Sequence, residues 1–240
     1  MGSGHGIGLA LAKAINAAAP EAQLVCTYRD QGKAQGLLDF ANGNSLVNLV
    51  QMDPTSEEEL EELSSKAAAI EGDLTMFINA VGFLHSDTVK PEKSLKQLDF
   101  HKLEHYFRIN SFIAPMAAKY LFPLLKHGHE SVFASLSAKV GSIDDNRIGG
   151  WYGYRSSKAA LNMFLKNIAI EFQRYGIRSH VLAIHPGTTV TELSKPYIQK
   201  TKLKLHSPEQ SAENILSVIS SQPYQAQARF LSWDGTRINW

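Results

Sequence analysis

Gly2-Ser3-Gly4-His5-Gly6-Ile7-Gly8 leads directly into an apolar helical pattern over residues 9–18. Glycines let the backbone turn tightly and approach a bound group closely. The amino end of the following helix supplies free N–H groups and a partial positive charge. This stretch therefore predicts a loop that holds a pyrophosphate at the start of the first helix. A flexible terminus is the alternative that the glycines alone leave open.

Short apolar runs alternate with segments of helical periodicity along the rest of the chain. The predicted strands cover residues 24–28, 46–51, 76–78, 132–136, 181–184 and 230–232. The predicted helices cover residues 8–19, 56–70, 100–125, 158–175 and 208–221. This alternation predicts an α/β fold, a doubly wound parallel sheet covered by helices on both faces. Because the sequence has no repeat and no linker, we expect residues 1–240 to form a single domain.

The strand that should precede the glycine-rich loop is missing from the sequence. In a doubly wound sheet, a strand of about five residues leads into such a loop and lies at the centre of the sheet. Here Met1 stands immediately before Gly2. A sheet without this strand leaves two neighbouring strand edges unpaired. We expect the natural chain to carry residues upstream of Met1, and mass spectrometry of the protein from its native source would test this.

Composition and charge narrow the class of partner. The 240 residues include 24 Lys+Arg and 23 Asp+Glu, and this balance gives no basic field for nucleic acid. The single cysteine, Cys26, cannot form an internal disulfide and fits a reducing compartment. The sequence shows neither a membrane-spanning apolar run nor a signal peptide. We therefore expect a cytoplasmic protein that acts on a small molecule, with no nucleic-acid and no membrane partner.

Tyr154 and Lys158 stand four residues apart at the start of a predicted helix, so they share one helical face. A phenol with a pKa of about 10 is a poor acid or base at neutral pH. A neighbouring ammonium stabilises the phenolate and lowers the pKa. The pair therefore predicts proton exchange with an alcohol or carbonyl oxygen. A surface pair on an ordinary helix is the alternative. Tyr152 is followed four residues later by Ser156, so it forms no such pair.

Together these motifs resemble the short-chain dehydrogenase/reductase family in their order and spacing. The shared features are Gly2-x-x-x-Gly6-x-Gly8, Asn79-Ala80-Val81-Gly82, Asn110, a serine-rich strand end near Ser137, Tyr154-x-x-x-Lys158 and Pro186-Gly187. The resemblance covers nearly the whole chain apart from the first strand. Residues 140–154 resemble the C-factor or sniffer-like carbonyl reductase branch. The resemblance implies a Rossmann-like fold and hydride transfer between a nicotinamide dinucleotide and a small carbonyl or alcohol.

The resemblance also implies the roles of individual residues. Tyr154 would exchange the proton, Lys158 would lower its pKa and hold the ribose hydroxyls, and Asn110 would hold a water of a proton relay. Asp53 would touch the adenine. The full set of cofactor-binding residues that the resemblance implies is Gly2, Gly6, Ile7, Gly8, Arg29, Asp53, Asn79, Gly82, Tyr154, Lys158, Pro186, Gly187, Thr189 and Thr191.

The serine that orients the substrate in this family does not fall on a serine here. Counted back from Gly141, its position holds Ala138, with Ser137 directly before it. We expect Ser137 to take this role through a small shift, with Ser142 as the alternative.

Cofactor choice and assembly complete the predictions. A carboxylate after the second strand of this fold would bind the ribose 2′-hydroxyl of NAD, whereas Arg29 can pair with the 2′-phosphate of NADP. We therefore expect NADP, with NAD possible because Asp30 follows. Residues 194–205 are expected to form the substrate loop. The apolar faces of the helices at 100–125 and 158–175 suggest a homodimer or homotetramer. A dinucleotide-binding regulatory or signalling protein with little turnover is the alternative function.

Overall fold

The computed structural model describes residues 1–199 and 201–240, so Lys200 of the predicted substrate loop lies outside the described residues. The strands are β1 (Leu24–Tyr28), β2 (Val47–Gln51), β3 (Met76–Asn79), β4 (Ser131–Leu136), β5 (Ser179–His185), β6 (Thr188–Thr189), β7 (Leu205–His206) and β8 (Arg229–Ser232). The helices are α1 (Gly6–Ala18), α2 (Gln35–Ala41), α3 (Glu57–Ala68), α4 (Phe100–Phe107), α5 (Ile113–Leu121), α6 (Tyr152–Arg174) and α7 (Pro208–Ser221). The predicted α/β class is confirmed.

Every pair of neighbouring strands is parallel. β1 pairs with β2, while β3, β4, β5 and β8 form a four-stranded sheet in that order, and β6 pairs with β7. Side chains on each strand alternate between two cores. Phe77, Phe133 and Val181 face α3, α5 and α6, whereas their neighbours Ala134 and Leu182 face α1 and α7. Burial on both faces explains why these strands were recognisable as continuous apolar runs.

Between β1 and β3 the sheet has a gap, which we call the strand gap. Residues 1–3 cross it: the Met1 amino group donates to Ile78 O at 2.7 Å, and Met1 O accepts from Ala80 N at 3.0 Å. On the other side, Ser3 N donates to Thr27 O at 2.7 Å. Below these bonds lies a cavity of about 290 Å³ lined by β1, β3 and α1. Within the described residues, β1 and β3 therefore belong to separate sheets.

Two helices differ from their predicted bounds by more than two residues, and α2 was not predicted. The predicted helix at 100–125 is divided into α4, a π-helical turn Arg108–Phe112, α5 and a 3-10 turn Phe122–Leu125. Pro115 has no N–H to donate to the carbonyl four residues earlier, which favours a wider turn just before it. α6 begins at Tyr152, six residues earlier than predicted. No helix in the described parts of the chain combines the length and the apolar character needed to cross a membrane.

Candidate active site

The glycine-rich loop and the start of α1 lie at the carboxyl ends of the strands, and we call the region between them and the loop after β5 the cleft. A Cβ on Gly8 would stand 2.0 Å from Gly2 O, so only glycine lets the helix pack so closely on the loop. Gly2 has a φ of +80° and lies against Val81. His5 precedes the helix and makes no side-chain capping bond. The first N–H groups of α1 therefore face the cleft as donors for an anion.

Lys158 is buried beside the carboxyl end of β4. Its Nζ donates to Leu136 O at 2.8 Å, and burial lowers the pKa of the ammonium to about 8. Gly141 permits this packing, since a Cβ there would lie 2.7 Å from Lys158 Cβ. A Cβ on Gly82 would lie 3.7 Å from Lys158 Nζ. The lysine therefore sits between the end of β4 and the turn after β3, with further N–H donors left on its ammonium.

Tyr154 is buried one turn before Lys158, in a cluster with Ala138 and Leu84. Its ring makes edge contacts with Tyr106 and Trp151 at centroid distances of 6.5 and 6.1 Å. Burial raises the pKa of the phenol to about 12. This is the opposite of the shift expected from a neighbouring ammonium, and its cause is the removal of the phenolate from water. At neutral pH Tyr154 therefore carries its proton.

Asn110 lies in the π-helical turn and joins three parts of the site. Its Oδ1 accepts from Phe83 N at 2.8 Å, and its Nδ2 donates to Phe83 O at 2.9 Å and to Ser157 Oγ at 3.0 Å. A Cβ on Gly82 would lie 3.8 Å from its Oδ1. Asn110 thus fixes the turn after β3 against α6, and both partners of its amide are protein groups.

The two candidate serines both have other partners. Ser137 Oγ donates to Asn162 Oδ1 at 2.7 Å and is buried. Ser142 Oγ accepts from Asp145 N at 3.2 Å and lies 3.5 Å from Trp240 O. At the family's serine position, Ala138 packs with Tyr154. The structure therefore brings Ala138, rather than either hydroxyl, into contact with the tyrosine cluster.

The loop after β5 forms the opposite wall of the cleft. Pro186 and Gly187 follow β5, and Gly187 has a φ of +79°. Thr191 lies close to the glycine-rich loop: a Cβ added to Gly6 would be 3.5 Å from Thr191 Cγ2. The hydroxyl of Thr189 is buried and paired with Ser211 Oγ at 2.7 Å. Of the two predicted threonines, Thr191 is therefore the one that faces the loop.

Arg29 and Asp53 follow β1 and β2, at the far end of the cleft. Arg29 is exposed, and no ion pair joins it to Asp30 in the parts of the chain that the structure describes. Asp30 instead accepts from Gly32 N at 2.9 Å. Burial alone would raise the pKa of Asp53, but hydrogen bonds from Thr55 and the nearby Arg29 outweigh it and lower the pKa. The guanidinium therefore remains available to a ligand.

Two predicted cofactor residues have mainly structural partners. The Oδ1 of Asn79, at the end of β3, accepts from Val81 N at 3.1 Å and so shapes the turn that leads to Gly82. Ile7, in the first turn of α1, is partly buried and packs against the core shared by α1 and α7. Both residues border the cleft through the backbone they hold in place.

Sequence reasoning missed Glu92 and Tyr106. Glu92 is fully buried, and its Oε2 accepts from Gly153 N at 3.0 Å in the first turn of α6. Tyr106 is also buried and donates to Leu84 O at 2.7 Å. Glu92 stands in Lys90-Pro91-Glu92-Lys93, which has the composition of an exposed loop and gives no signal. The apolar face of the predicted helix at 100–125 could have indicated that Tyr106 is buried.

Comparison with known proteins gives one consistent result. The family described as short chain dehydrogenase matches residues 1–202. The 1-hydroxy-2-glutathionyl-2-methyl-3-butene dehydrogenase of Rhodococcus sp. (strain AD45) is 29% identical over 189 residues, which are 79% of this chain and 78% of that protein. The carbonyl reductase Sniffer of D. melanogaster has a TM-score of 0.86 at 24% identity, covering 100% of this chain and 97% of its own.

A second solved structure, the NADPH-bound carbonyl reductase from chicken fatty liver, also has a TM-score of 0.86, with 21% identity. It covers 100% of this chain and 96% of its own. The structural matches confirm the fold, and the match of the family over most of the sequence confirms the resemblance. This chain belongs to the short-chain dehydrogenase/reductase family of NAD(P)-dependent oxidoreductases.

Proposed function

We propose that this chain reduces a small carbonyl compound with NADPH. The observation that carries the proposal is that Tyr154 and Lys158 are both buried one turn apart on α6, with the lysine ammonium bonded to the carboxyl end of β4. A protonated phenol and a cation buried side by side on one helix suit proton delivery to a developing alkoxide. The hydride comes from the nicotinamide when the cofactor is bound.

The residues that border the cleft fit a dinucleotide. The uncapped start of α1 offers N–H donors to the pyrophosphate. A side chain at position 8 would collide with the Gly2 carbonyl, so Gly8 lets the helix start pack directly on the loop. Lys158 retains N–H donors for the ribose hydroxyls. Thr191, together with the Pro186-Gly187 turn, would hold the nicotinamide end. Asp53 would border the adenine.

The protonation states favour the reductive direction. Because burial raises the pKa of Tyr154 to about 12, the phenol holds a proton that it can give to the substrate oxygen at neutral pH. Lys158, with a pKa lowered to about 8 by burial, is largely protonated at pH 7 and stabilises the phenolate left behind. Asn110 then acts by fixing the turn that carries Gly82 beside this ammonium, and we propose that it also holds the water of the proton relay.

Arg29 supports NADP over NAD. Its guanidinium lies at the carboxyl end of β1 and is exposed, whereas the neighbouring Asp30 carboxylate is engaged by Gly32 N. A guanidinium can pair with a 2′-phosphate through charge-assisted hydrogen bonds. We expect kcat/KM to be higher with NADPH than with NADH, and Arg29→Ala to remove most of this difference. Equal or higher efficiency with NADH in the unchanged protein would contradict the proposal.

A substrate panel with matched tyrosine variants tests the proposed chemistry. Aldehydes, ketones and quinones are offered with NADPH, and cofactor oxidation is followed by absorbance. Tyr154→Phe should lower kcat by about 100-fold or more, because it removes the proton donor. Tyr152→Phe is the control, since it removes a hydroxyl two residues away and should leave kcat unchanged. Turnover unaffected by Tyr154→Phe would refute the mechanism, and NADPH binding without turnover would support a regulatory protein.

The residue that orients the substrate carbonyl is a separate question. We propose Ser137, whose hydroxyl would exchange Asn162 for the substrate oxygen, with Ser142 as the alternative. If Ser137 acts in this way, Ser137→Ala lowers kcat by about tenfold or more while NADPH binding is kept. If kcat is unchanged in Ser137→Ala and rises in Ala138→Ser, the assignment to Ser137 is wrong.

We propose further that residues 1–240 act as one cytoplasmic oxidoreductase domain that assembles into a homodimer or homotetramer. An apolar groove of about 710 Å³ lies between α3 and α4, bordered by Phe100 and Phe112. Phe100 is 83% exposed, which is unusual for a phenylalanine at an unpartnered surface. Sedimentation of the purified chain should show a dimer or tetramer, and Phe100→Glu should shift it toward monomer. A monomer at micromolar concentration would contradict the assembly.

A further inference from the structure

We propose that Asp73, His127 and His129 form a binding site for a divalent transition metal ion such as Zn²⁺. One ligand atom from each residue lies within 4.8 Å of the other two. Asp73 precedes β3 and the two histidines precede β4, and these strands are parallel neighbours in register from Met76 and Val132. The site therefore lies at the amino edge of the sheet, opposite the catalytic cleft at its carboxyl edge.

The distances between the ligand atoms are close to the ligand–ligand distances around a bound Zn²⁺. Nδ1 of His129 is 2.7 Å and Nδ1 of His127 is 3.8 Å from Asp73 Oδ2. Ligand atoms on one tetrahedral Zn²⁺ stand roughly 3.3–3.6 Å apart. Gly128, with a φ of +85° and open space around it, lets the chain turn so that both imidazoles face Asp73. Small side-chain rotations, without backbone movement, would bring the three atoms to this spacing.

The hydrogen bonds of His127 fix the imidazole in the form that binds metal. Its Nε2 lies 3.2 Å from Leu74 O, and since a carbonyl only accepts, this nitrogen carries the hydrogen. Its Nδ1 accepts from His129 N at 3.1 Å, so this nitrogen is unprotonated, and its lone pair becomes available to an ion once that hydrogen bond is displaced. Only 9% of the His127 side chain is exposed, so the ring is held in place. Metal-binding histidines typically show this bond from the second ring nitrogen to a carbonyl.

The donor set selects the class of ion. Two imidazoles and one carboxylate suit Zn²⁺, Co²⁺, Ni²⁺ or Cu²⁺ better than Mg²⁺ or Ca²⁺, which prefer oxygen ligands. The bound ion replaces the hydrogen bond between His129 Nδ1 and Asp73 Oδ2, and the neutral ring then carries its hydrogen on Nε2. The ion also displaces the hydrogen bond from His129 N to His127 Nδ1. Three protein ligands leave a fourth position for water. A bound ion would tie together the turns that begin β3 and β4.

Calorimetric titration of the full chain, purified without a histidine tag, with ZnCl₂ tests the site. We expect one Zn²⁺ per chain and a melting temperature that rises by several degrees at saturation. His129→Ala should weaken binding by at least about tenfold, since it removes one ligand. Its side chain is 76% exposed, so the variant should still fold. Asp73→Asn, which removes the carboxylate charge, should also weaken binding.

His101→Ala is the matched control. In the unchanged protein the His101 imidazole lies 3.8 Å from the Glu104 carboxylate on an exposed helix face, so this histidine–carboxylate pair lacks a third ligand. This variant should bind Zn²⁺ as the unchanged protein does. Absence of binding to the unchanged chain would overturn the proposal. So would unchanged stoichiometry and affinity in both His129→Ala and Asp73→Asn.

Discussion

Glu92 offers the sharpest test of how the fold positions its catalytic tyrosine. The residue is 1% exposed, and its Oε2 accepts from Gly153 N at 3.0 Å. Gly153 lies in the first turn of α6, whose preceding residue Trp151 makes no side-chain capping bond. Glu92 therefore caps α6 from another segment, with its carboxylate at the positive end of the helix dipole. Tyr154 is the next residue after the capped N–H group.

The cost of removing this cap follows from the same contacts. In Glu92→Ala the buried Gly153 N–H has no partner, which costs about 1–3 kcal/mol. Loss of the charge at the helix start adds about 0.3–2 kcal/mol. We expect the free energy of unfolding to fall by about 2–4 kcal/mol, or about 5–15 °C in melting temperature for a chain of this length. Glu92→Gln keeps an acceptor and loses only the charge, so it should cost less than about 2 kcal/mol.

The kcat/KM of Glu92→Ala should fall even at temperatures where the variant is fully folded, because Tyr154 is displaced. A displacement of Tyr154 by about 1 Å can lower the rate by about 100-fold. Melting temperature and kcat/KM for carbonyl reduction are measured on both variants, well below their melting temperatures. Glu62→Ala, which removes an exposed carboxylate paired with Lys66 on α3, is the control. If Glu92→Ala keeps the kcat/KM of the unchanged protein, Glu92 does not position the tyrosine.

Three further predictions concern the loop, the lysine and the cysteine. A Cβ on Gly8 would stand 2.0 Å from Gly2 O, so Gly8→Ala should weaken NADPH binding by at least about tenfold. Fluorescence titration measures the Kd for NADPH, and an unchanged value would contradict this. Burial lowers the pKa of Lys158 to about 8, so its ammonium is present below that pH and lost above it. Reduction should therefore be steady below pH about 8 and fall as the pH rises, and a kcat profile without this fall would count against the role of Lys158. Burial also raises the pKa of the Cys26 thiol, so iodoacetamide should label it only after denaturation, which intact-protein mass spectrometry would show.

The order of the main strands and helices could be predicted because each has a one-dimensional signature, whereas the short elements α2, β6 and β7 were not predicted. β5, whose side chains are buried on both faces, is a continuous apolar run, and α7 begins after Ser207 with Pro208 in its first turn. Motif spacing placed Tyr154 and Lys158 on one helical face without any knowledge of the remaining packing.

Features that depend on three-dimensional contacts could not be predicted in this way. Glu92 resembles a loop residue in the sequence, and only the fold shows that it caps α6. The direction of the Tyr154 pKa shift is set by how deeply the phenol is buried, which the spacing of Tyr154 and Lys158 cannot reveal. The hydroxyl of Ser137 has a partner, Asn162, that lies 25 positions away along the chain.

The strand gap and the glycine-rich loop affect different properties of the protein. The loop is tied at the carboxyl edge of the sheet, by Ser3 to Thr27 on one side and by Met1 to Ile78 on the other. The cavity lies below these bonds, between β1 and β3, where apolar packing is lost. Lost packing lowers the free energy of unfolding, whereas the geometry that presents the start of α1 depends on the bonds above it.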